Sequence, residues 1–402
     1  MNGILQKYIQ NLDLNPALEK FLQMGFPTKK LEAWKYTNIA DALGPGFHPN
    51  PPKEQNADIK PKDSRIVLIN GHFSKELSII PQGIEIGERQ ELKNTLETDD
   101  SFELLNLGVT PLEIEIKIPK NFQNIAPIEI FHTVSSEGYM FCPRIRIDAG
   151  VNSKSHILET FNGGKLNSYF TNSLTEIFLE EGSSVEYVKS VNESLAAIHV
   201  GKVKAFCRKN STFKDFTLSL GGKLTRNNIE VALLEEGSGV SANGVFALSK
   251  DQICDNYSLI NHLVPHTNSE QLFKGLLDDE SHGIFTGKIK VNPDAQKVNS
   301  NQLSKNLLLS KKAHVNSRPI LEINADDVKC SHGAAIGKLN PEEIFYLETR
   351  GIPEIKAKRM LCYAFALEGI DLIESLTIKN LITEQLFDKL TKFDVGHFNE
   401  NF

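Results

Sequence analysis

Cys330 and His332, in the stretch DDVKCSHGAAIG (326–337), are the pair in this 402-residue chain whose types and spacing most invite chemistry. If 328–333 is extended, side chains alternate between faces, so the thiol and the imidazole project together. A thiolate beside an imidazole can share one metal ion, and soft sulfur with nitrogen suits zinc, copper(I) or iron–sulfur iron. A closed tetrahedral site takes about four ligands. This pair supplies two, so the others must come from distant residues, another chain or a cluster's own sulfides. Two further readings stand beside that one. The triplet is also a nucleophile next to a base, although no local signature of a known class accompanies it, or a tight turn with two reactive side chains.

Other candidates are weaker. HLVPH (262–266) spaces two histidines as helical zinc proteases do, but it carries a proline between them and lacks the glutamate. His282 and His314 stand isolated in strand-and-turn sequence, and for all four histidines an ordinary hydrogen-bonded role is the default. GIFTGKIK (283–290) and LGGKLT (220–225) resemble phosphate loops only faintly. Three residues, not four, separate Gly283 from Gly287, and Ile289 follows Lys288 where a magnesium-binding hydroxyl is required. Both segments are expected to be glycine turns between strands, and the chain is not expected to be an ATPase.

Positioning these residues requires a fold, and composition bounds it. Hydrophobic residues make up 40% and charged residues 24%, enough to bury a substantial core. A net charge of -7 argues against a general nucleic-acid binder, which needs a basic surface. The five cysteines are scattered without a CxxC pair, which fits a reducing compartment. No apolar run approaches membrane-span length, and the first thirty residues hold none of signal-peptide length. A cytoplasmic protein is expected.

Three regions follow along the chain. Residues 1–109 form a helical and αβ region containing a proline-rich linker at 44–63. Its helical spacing comes from Leu5, Tyr8, Ile9 and Leu12, Asn15-Pro16 supplies a cap, and RIVLING (65–71) is a strand ending in a turn. From 110 to 335 short β-branched alternations are separated by Gly, Asn and Ser. LEEGSSVEYV (179–188) recurs as LEEGSGVSANGV (234–245), with RKNSTFKDF (208–216) at the same phase. Ser183 precedes Ser211 by 28 residues and Ser238 follows 27 later, while Ser153 lies 30 before the first. Such a period in strand-rich sequence predicts a β-solenoid, each turn burying its face on the next. A β-sandwich with chance turn similarity is the competing fold.

The third region, 336–402, reads as helical. Asn340-Pro341-Glu342-Glu343 supplies a cap, an N-terminal proline and early acids. GIP (351–353) breaks the first helix. A second, 353–376, is given an apolar face of Ile355, Met360, Leu361, Ala364 and Leu367, and TEQLFDKLTKF (383–393) forms a short amphipathic end. Such a tail either caps the array's open end or docks a partner.

ADDVKCSHGAAIGKLNPEEIFYLETRGI (325–352) resembles the C-terminal signature of the SufB/SufD family of iron–sulfur cluster assembly proteins. PTKKLEAWKYT (27–37), VLINGHFSKELS (67–78), PRIRIDAG (143–150), HTNSEQLFKGLL (266–277), GIFTGKIKV (283–291) and QLSKNLLLSKKA (302–313) fall in the family's order. The resemblance covers nearly the whole chain, and within the family it is closer to SufD than to SufB. It implies a mainly β fold, a right-handed parallel β-helix (a β-solenoid core) flanked by N-terminal and C-terminal α-helical domains. It implies a non-catalytic scaffold that pairs with SufB through the core and with the ATPase SufC through the C-terminal helices. Cys330 and His332 match positions at the SufB interface, His332 being the better candidate ligand, with SufB supplying the rest. An iron–sulfur cluster or iron would be held transiently, in complex with SufB, and a homodimer is the form open to the isolated chain. No nucleic acid or membrane partner is implied. Two rivals stay open: a carbohydrate-active β-helix enzyme, and a purely structural homodimer.

Overall fold

The computed structural model describes residues 5, 7–9, 11–44, 46–49, 51–52, 62–90, 98–110, 112–123, 126–163 and 168–393. The helical spacing expected around Leu5 to Leu12 and the linker at 44–63 therefore fall partly outside the described residues, as does the chain beyond 393.

Successive strands alternate between two ten-stranded sheets, so each strand's partner lies one full turn away in sequence. One sheet stacks Arg65–Ile69, Ile128–Thr133, Lys154–Asn162, Ser184–Asn192, Thr212–Ser219, Gly239–Leu248, Asn268–Leu277, Asn299–Leu308 and Lys329–Gly337, all parallel and in that order. The other runs from Glu113–Ile118 through Arg144–Ala149, Phe170–Leu179, Ile198–Cys207, Leu224–Leu233, Ile253–His262 and His282–Val291 to His314–Ile323. The result is a β-solenoid of about eight turns with helices at both ends of the chain, a mainly β protein.

The serine period has a physical origin. The Ser183, Ser211 and Ser238 hydroxyls each donate to the carbonyl three residues back, on Glu180, Arg208 and Glu235, at 2.7, 2.7 and 2.6 Å. Each serine thereby closes a corner, and the residue before it is left-handed: Gly182 (φ 67°), Asn210 (φ 54°) and Gly237 (φ 75°). Glycine and asparagine enter that region at least cost. A Cβ at Gly182 would also sit 2.3 Å from the Asn152 side-chain oxygen of the rung below. The corners bond to one another as the strands do, Gly182 N–H donating to Lys209 O at 2.9 Å and Asn210 N–H to Glu236 O at 3.1 Å.

Inward rows fill the lumen with Ile, Val, Leu and Phe, among them Ile130, Ile157, Ile177, Val203, Ile229 and Phe285. The segment 283–290 corrects the expectation of a turn. It lies inside the strand His282–Val291, where Gly283 and Gly287 face a packed lumen. A Cβ at Gly283 would meet Leu277 and Phe246 side chains at 2.8 Å. These glycines serve close approach inside a strand, a demand composition alone does not separate from turn chemistry.

Helices cover the outer faces. Pro16–Met24 begins as read, with the Asn15 side chain accepting the Leu18 N–H at 3.1 Å. With Ser101–Val109 it buries Leu18, Phe21, Phe102 and Leu105 against Phe170, Leu174, Ile198 and Val200 of one sheet. On the opposite sheet, Glu354–Ile370 and Leu376–Leu390 pack against Leu158, Val188, Phe216 and Val245. Here the apolar face assigned to the first of these helices is corrected. Ile355 and Met360 are exposed, while Ala357, Cys362, Ala366 and Ile370 are buried. Small side chains let the helix approach the sheet, a Cβ at Gly369 lying 3.0 Å from Val245 Cγ2. Volume, not hydrophobicity, chose the face. The final helix also starts earlier than 383, at Leu376, because the break falls at 371–375.

His262, read as an ordinary hydrogen-bonded histidine, is fully buried, its Nδ1 2.7 Å from Thr267 Oγ1 and its Nε2 2.9 Å from Ser269 Oγ. Burial pushes its imidazole down to about 4. A folded-state value below the unfolded one means stability is present above about 6.5 and lost as pH falls through 4. His262 should contribute about 3 kcal/mol to the stability lost across that window, at 1.36 kcal/mol per unit, and in denaturant unfolding His262→Gln should flatten the slope by that share. An equal slope in the variant contradicts the assignment.

Candidate functional site

The segment 329–337 is a strand, so Cys330 and His332 do project from one face as the extended reading requires. That face is the lumen row. In the register of Asn299–Leu308 with Lys329–Gly337, Ser300 lies beneath Cys330 and Gln302 beneath His332. Ser300 and Gln302 are buried at 2% and 0% exposure, yet one rung higher Cys330 is half-buried and His332 is exposed. The difference is that, among the described residues, no further turn covers the row. The solenoid ends here, and its inner row emerges at the mouth.

Both terminal strands, His314–Ile323 and Lys329–Gly337, pair on one side only among the described residues. The opposite ends of the two sheets are closed differently, by the antiparallel strands His72–Ile79 and Glu85–Arg89. An open edge is a row of unpaired N–H and C=O groups that invites another strand. Pro319, which lacks an N–H, is tolerated in such an edge strand. Ile323 and Ile336 add exposed apolar surface at the rim.

The donor set at the mouth fits a soft metal but does not complete its shell. Cys330 packs beside Val298, Ala325 and Leu321, and burial raises its thiol above the ordinary value. A cation brought beside it would compensate the charge of the thiolate form. His332 has no hydrogen-bond partner among the described residues. The two side chains come from one strand, so a second chain can approach them from the open side.

Sequence reasoning missed other groupings. His282 and His314 are not isolated: they occupy the same column in adjacent rungs and stack with centroids 3.9 Å apart, His282 Nε2 lying 2.8 Å from Asn316 Oδ1. Ligand atoms of His156, Glu186 and Glu374 lie within 4.8 Å of one another. These are already engaged. His156 Nδ1 contacts Glu186 at 2.7 Å, Glu186 accepts the N–H groups of Glu374 and Ser375, and Lys214 hydrogen-bonds Glu374 and lowers its carboxyl. The cluster fastens the start of the final helix to the solenoid. No spacing rule links residues 188 apart in sequence. A cavity of about 310 Å³ lined by Lys117, Asp148, Phe178 and Glu180 lies at the far end of the solenoid, away from the pair.

Comparison with known proteins places this geometry. The family model described as "SUF system FeS cluster assembly, SufBD core domain" matches residues 131–365. An iron–sulfur cluster assembly SufBD family protein of Synechocystis sp. is 30% identical, covering 89% of this chain and 86% of its own. The iron–sulfur cluster assembly protein SufD of Escherichia coli is 27% identical over 93% and 91%, and protein ABCI7, chloroplastic, of Arabidopsis thaliana is 27% identical over 90% and 82%. With a family model over more than half of its length and a relative 30% identical across nearly all of it, the chain belongs to the SufBD family.

Proposed function

We propose that this chain is a non-catalytic scaffold of iron–sulfur cluster assembly that completes its site by pairing with SufB at the mouth of the solenoid. The observation that carries the reading is the terminal rung itself: two open strand edges beside a cysteine and a histidine that supply half a coordination shell. A partner strand would satisfy the edges and bring the missing ligands in one step. The cluster is cargo, so a half-site on each chain lets separation of the chains release it. The experiment is co-expression with SufB and SufC, then iron and sulfide analysis of the purified complex. Failure to recover a complex, or recovery without iron and sulfide under anaerobic conditions, defeats the proposal.

The SufC contact belongs in this reading to the first C-terminal helix, Pro341–Thr349. It buries none of its residues, and Phe345 and Tyr346 stand 66% and 58% exposed. Amphipathic helices with aromatic anchors suit groove docking. Deleting 341–402 is a poor test, because Ile378, Ile382 and Leu386 cover the sheet. Phe345→Asp with Tyr346→Ala should weaken SufC capture at least about tenfold, with each aromatic anchor worth more than 1 kcal/mol. Unchanged capture moves the contact elsewhere. Closure of SufC on ATP would then pull this helix and, through it, the rung carrying Cys330 and His332.

ATP chemistry is assigned to the partner. Lys288 is a strand residue ion-paired with Glu322 of the next rung at 2.5 Å, not a loop lysine free to meet phosphate. The purified chain should hydrolyse ATP at background rate. Turnover that disappears on Lys288→Ala contradicts this.

A further inference from the structure

The rung beneath the mouth places a buried carboxamide in register under His332. Gln302 is wholly buried, and its carboxamide is fixed from behind. The Gln302 Nε2 donates to Gln271 Oε1 at 3.1 Å, and the Ser258 hydroxyl donates to the same oxygen at 2.7 Å. Space for the amide is made by Gly287, where a Cβ would fall 1.9 Å from Gln302 Nε2. The other end of this amide, Oε1, is buried and has no partner. A buried acceptor without a donor costs about 1–3 kcal/mol, so an arrangement that keeps one asks for a donor close by. The residue in register above Gln302, on the same inward row, is His332, whose ring has no hydrogen-bond partner among the described residues.

We propose that Gln302 is a positioning residue for His332. When the exposed ring swings in over it, its Oε1 accepts the N–H of one ring nitrogen, fixing the tautomer and turning the other nitrogen outward, toward the open side of the mouth. A ligating histidine needs one nitrogen held so that the other keeps its lone pair, and such outer contacts orient the ring and raise its basicity. The stack Ser258–Gln271–Gln302 is then a support running along the lumen to the last rung. This deepens the reading of His332 as a ligand and rests on it for its purpose, but not for its test.

The test is the tautomer ratio of His332 in the full-length chain, labelled with ¹⁵N-histidine and kept in mildly alkaline buffer where imidazole is neutral. The His332 resonances are those lost on His332→Ala. One tautomer should dominate by about tenfold, the preference one hydrogen bond supplies. Gln302→Met should return the ratio to that of free imidazole. Gln302→Glu should preserve it, because a carboxylate still accepts, and Gln271, whose Nε2 is also without a partner, can turn to donate. If Gln302→Met does not fold, Gln302→Asn withdraws the acceptor by one methylene and serves instead. A free-imidazole ratio in the unmodified chain overturns the proposal, as does a ratio unmoved by both Gln302→Met and Gln302→Asn. Iron content of the SufB-containing complex is read separately. A tautomer lock in the unmodified chain, together with normal iron in the His332→Ala complex, would reject the ligand reading and leave the positioning contact standing. A missing lock with lost iron would do the reverse.

Discussion

Replacing Arg226 with alanine should be among the most damaging single changes available in this chain, costing about 3–5 kcal/mol of stability. Arg226 is 1% exposed. Its Nη1 pairs with the Asp255 carboxylate of the neighbouring rung and donates to Ala33 O at 2.9 Å, while Nε donates to Asn228 Oδ1 at 2.8 Å. The guanidinium carbon lies 4.4 Å from the Trp34 ring centroid and 5.1 Å from that of Tyr257. The Thr37 hydroxyl also donates to Asp255. One cation therefore ties the N-terminal 3₁₀ turn Glu32–Trp34 to the outer face of the solenoid. Truncation leaves Asp255 buried, charged and short of donors, and its Oδ1 has no partner even now. The penalty comes mostly from that abandoned carboxylate, so Arg226→Ala with Asp255→Ala should lose less than Arg226→Ala alone. Urea unfolding of the three variants decides it. A loss below about 1 kcal/mol in the single variant, the range of ordinary surface changes, would mean the N-terminal elements are held by their apolar contacts alone.

The solenoid was legible because its cause repeats. A corner hydroxyl at Ser183, Ser211 and Ser238, each after a residue able to turn left-handed, leaves a period in the sequence that needs no partner information. Helix starts were legible for a similar local reason: the Asn340 side chain accepts the Glu342 N–H at 3.0 Å, only two residues along the chain. What failed was anything decided by contact with distant residues. Gly283 and Gly287 look the same in a turn and in a crowded lumen. The buried face of Glu354–Ile370 was set by how near the sheet lies, which favoured Ala357 and Ala366 over Met360. The candidate pair was half legible. Alternation placed Cys330 and His332 on one face, but only the end of the array made an inward row accessible, and no residue type announces where an array stops.

That exposure sharpens the expected behaviour of His332→Ala. The side chain is exposed on the last rung and its one proposed contact is the hydrogen bond to Gln302, so its removal should cost about 1 kcal/mol. Cys330→Ala should cost a similar amount, about 1 kcal/mol, because the thiol packs on the apolar group formed with Val298, Ala325 and Leu321. Both variants should fold, express and still pair with SufB, since strand pairing engages backbone and not these side chains. Iron and sulfide in the purified complex should nevertheless fall to background in His332→Ala, because Cys330 and the partner's ligands together cannot close a shell of about four. A purely structural role reverses the pattern, lowering the melting temperature and yield while the surviving complex carries its normal iron. His332→Cys separates ligation from packing further: a thiolate in place of imidazole is still a soft donor, and partial recovery of iron in that variant marks the position as one that binds metal.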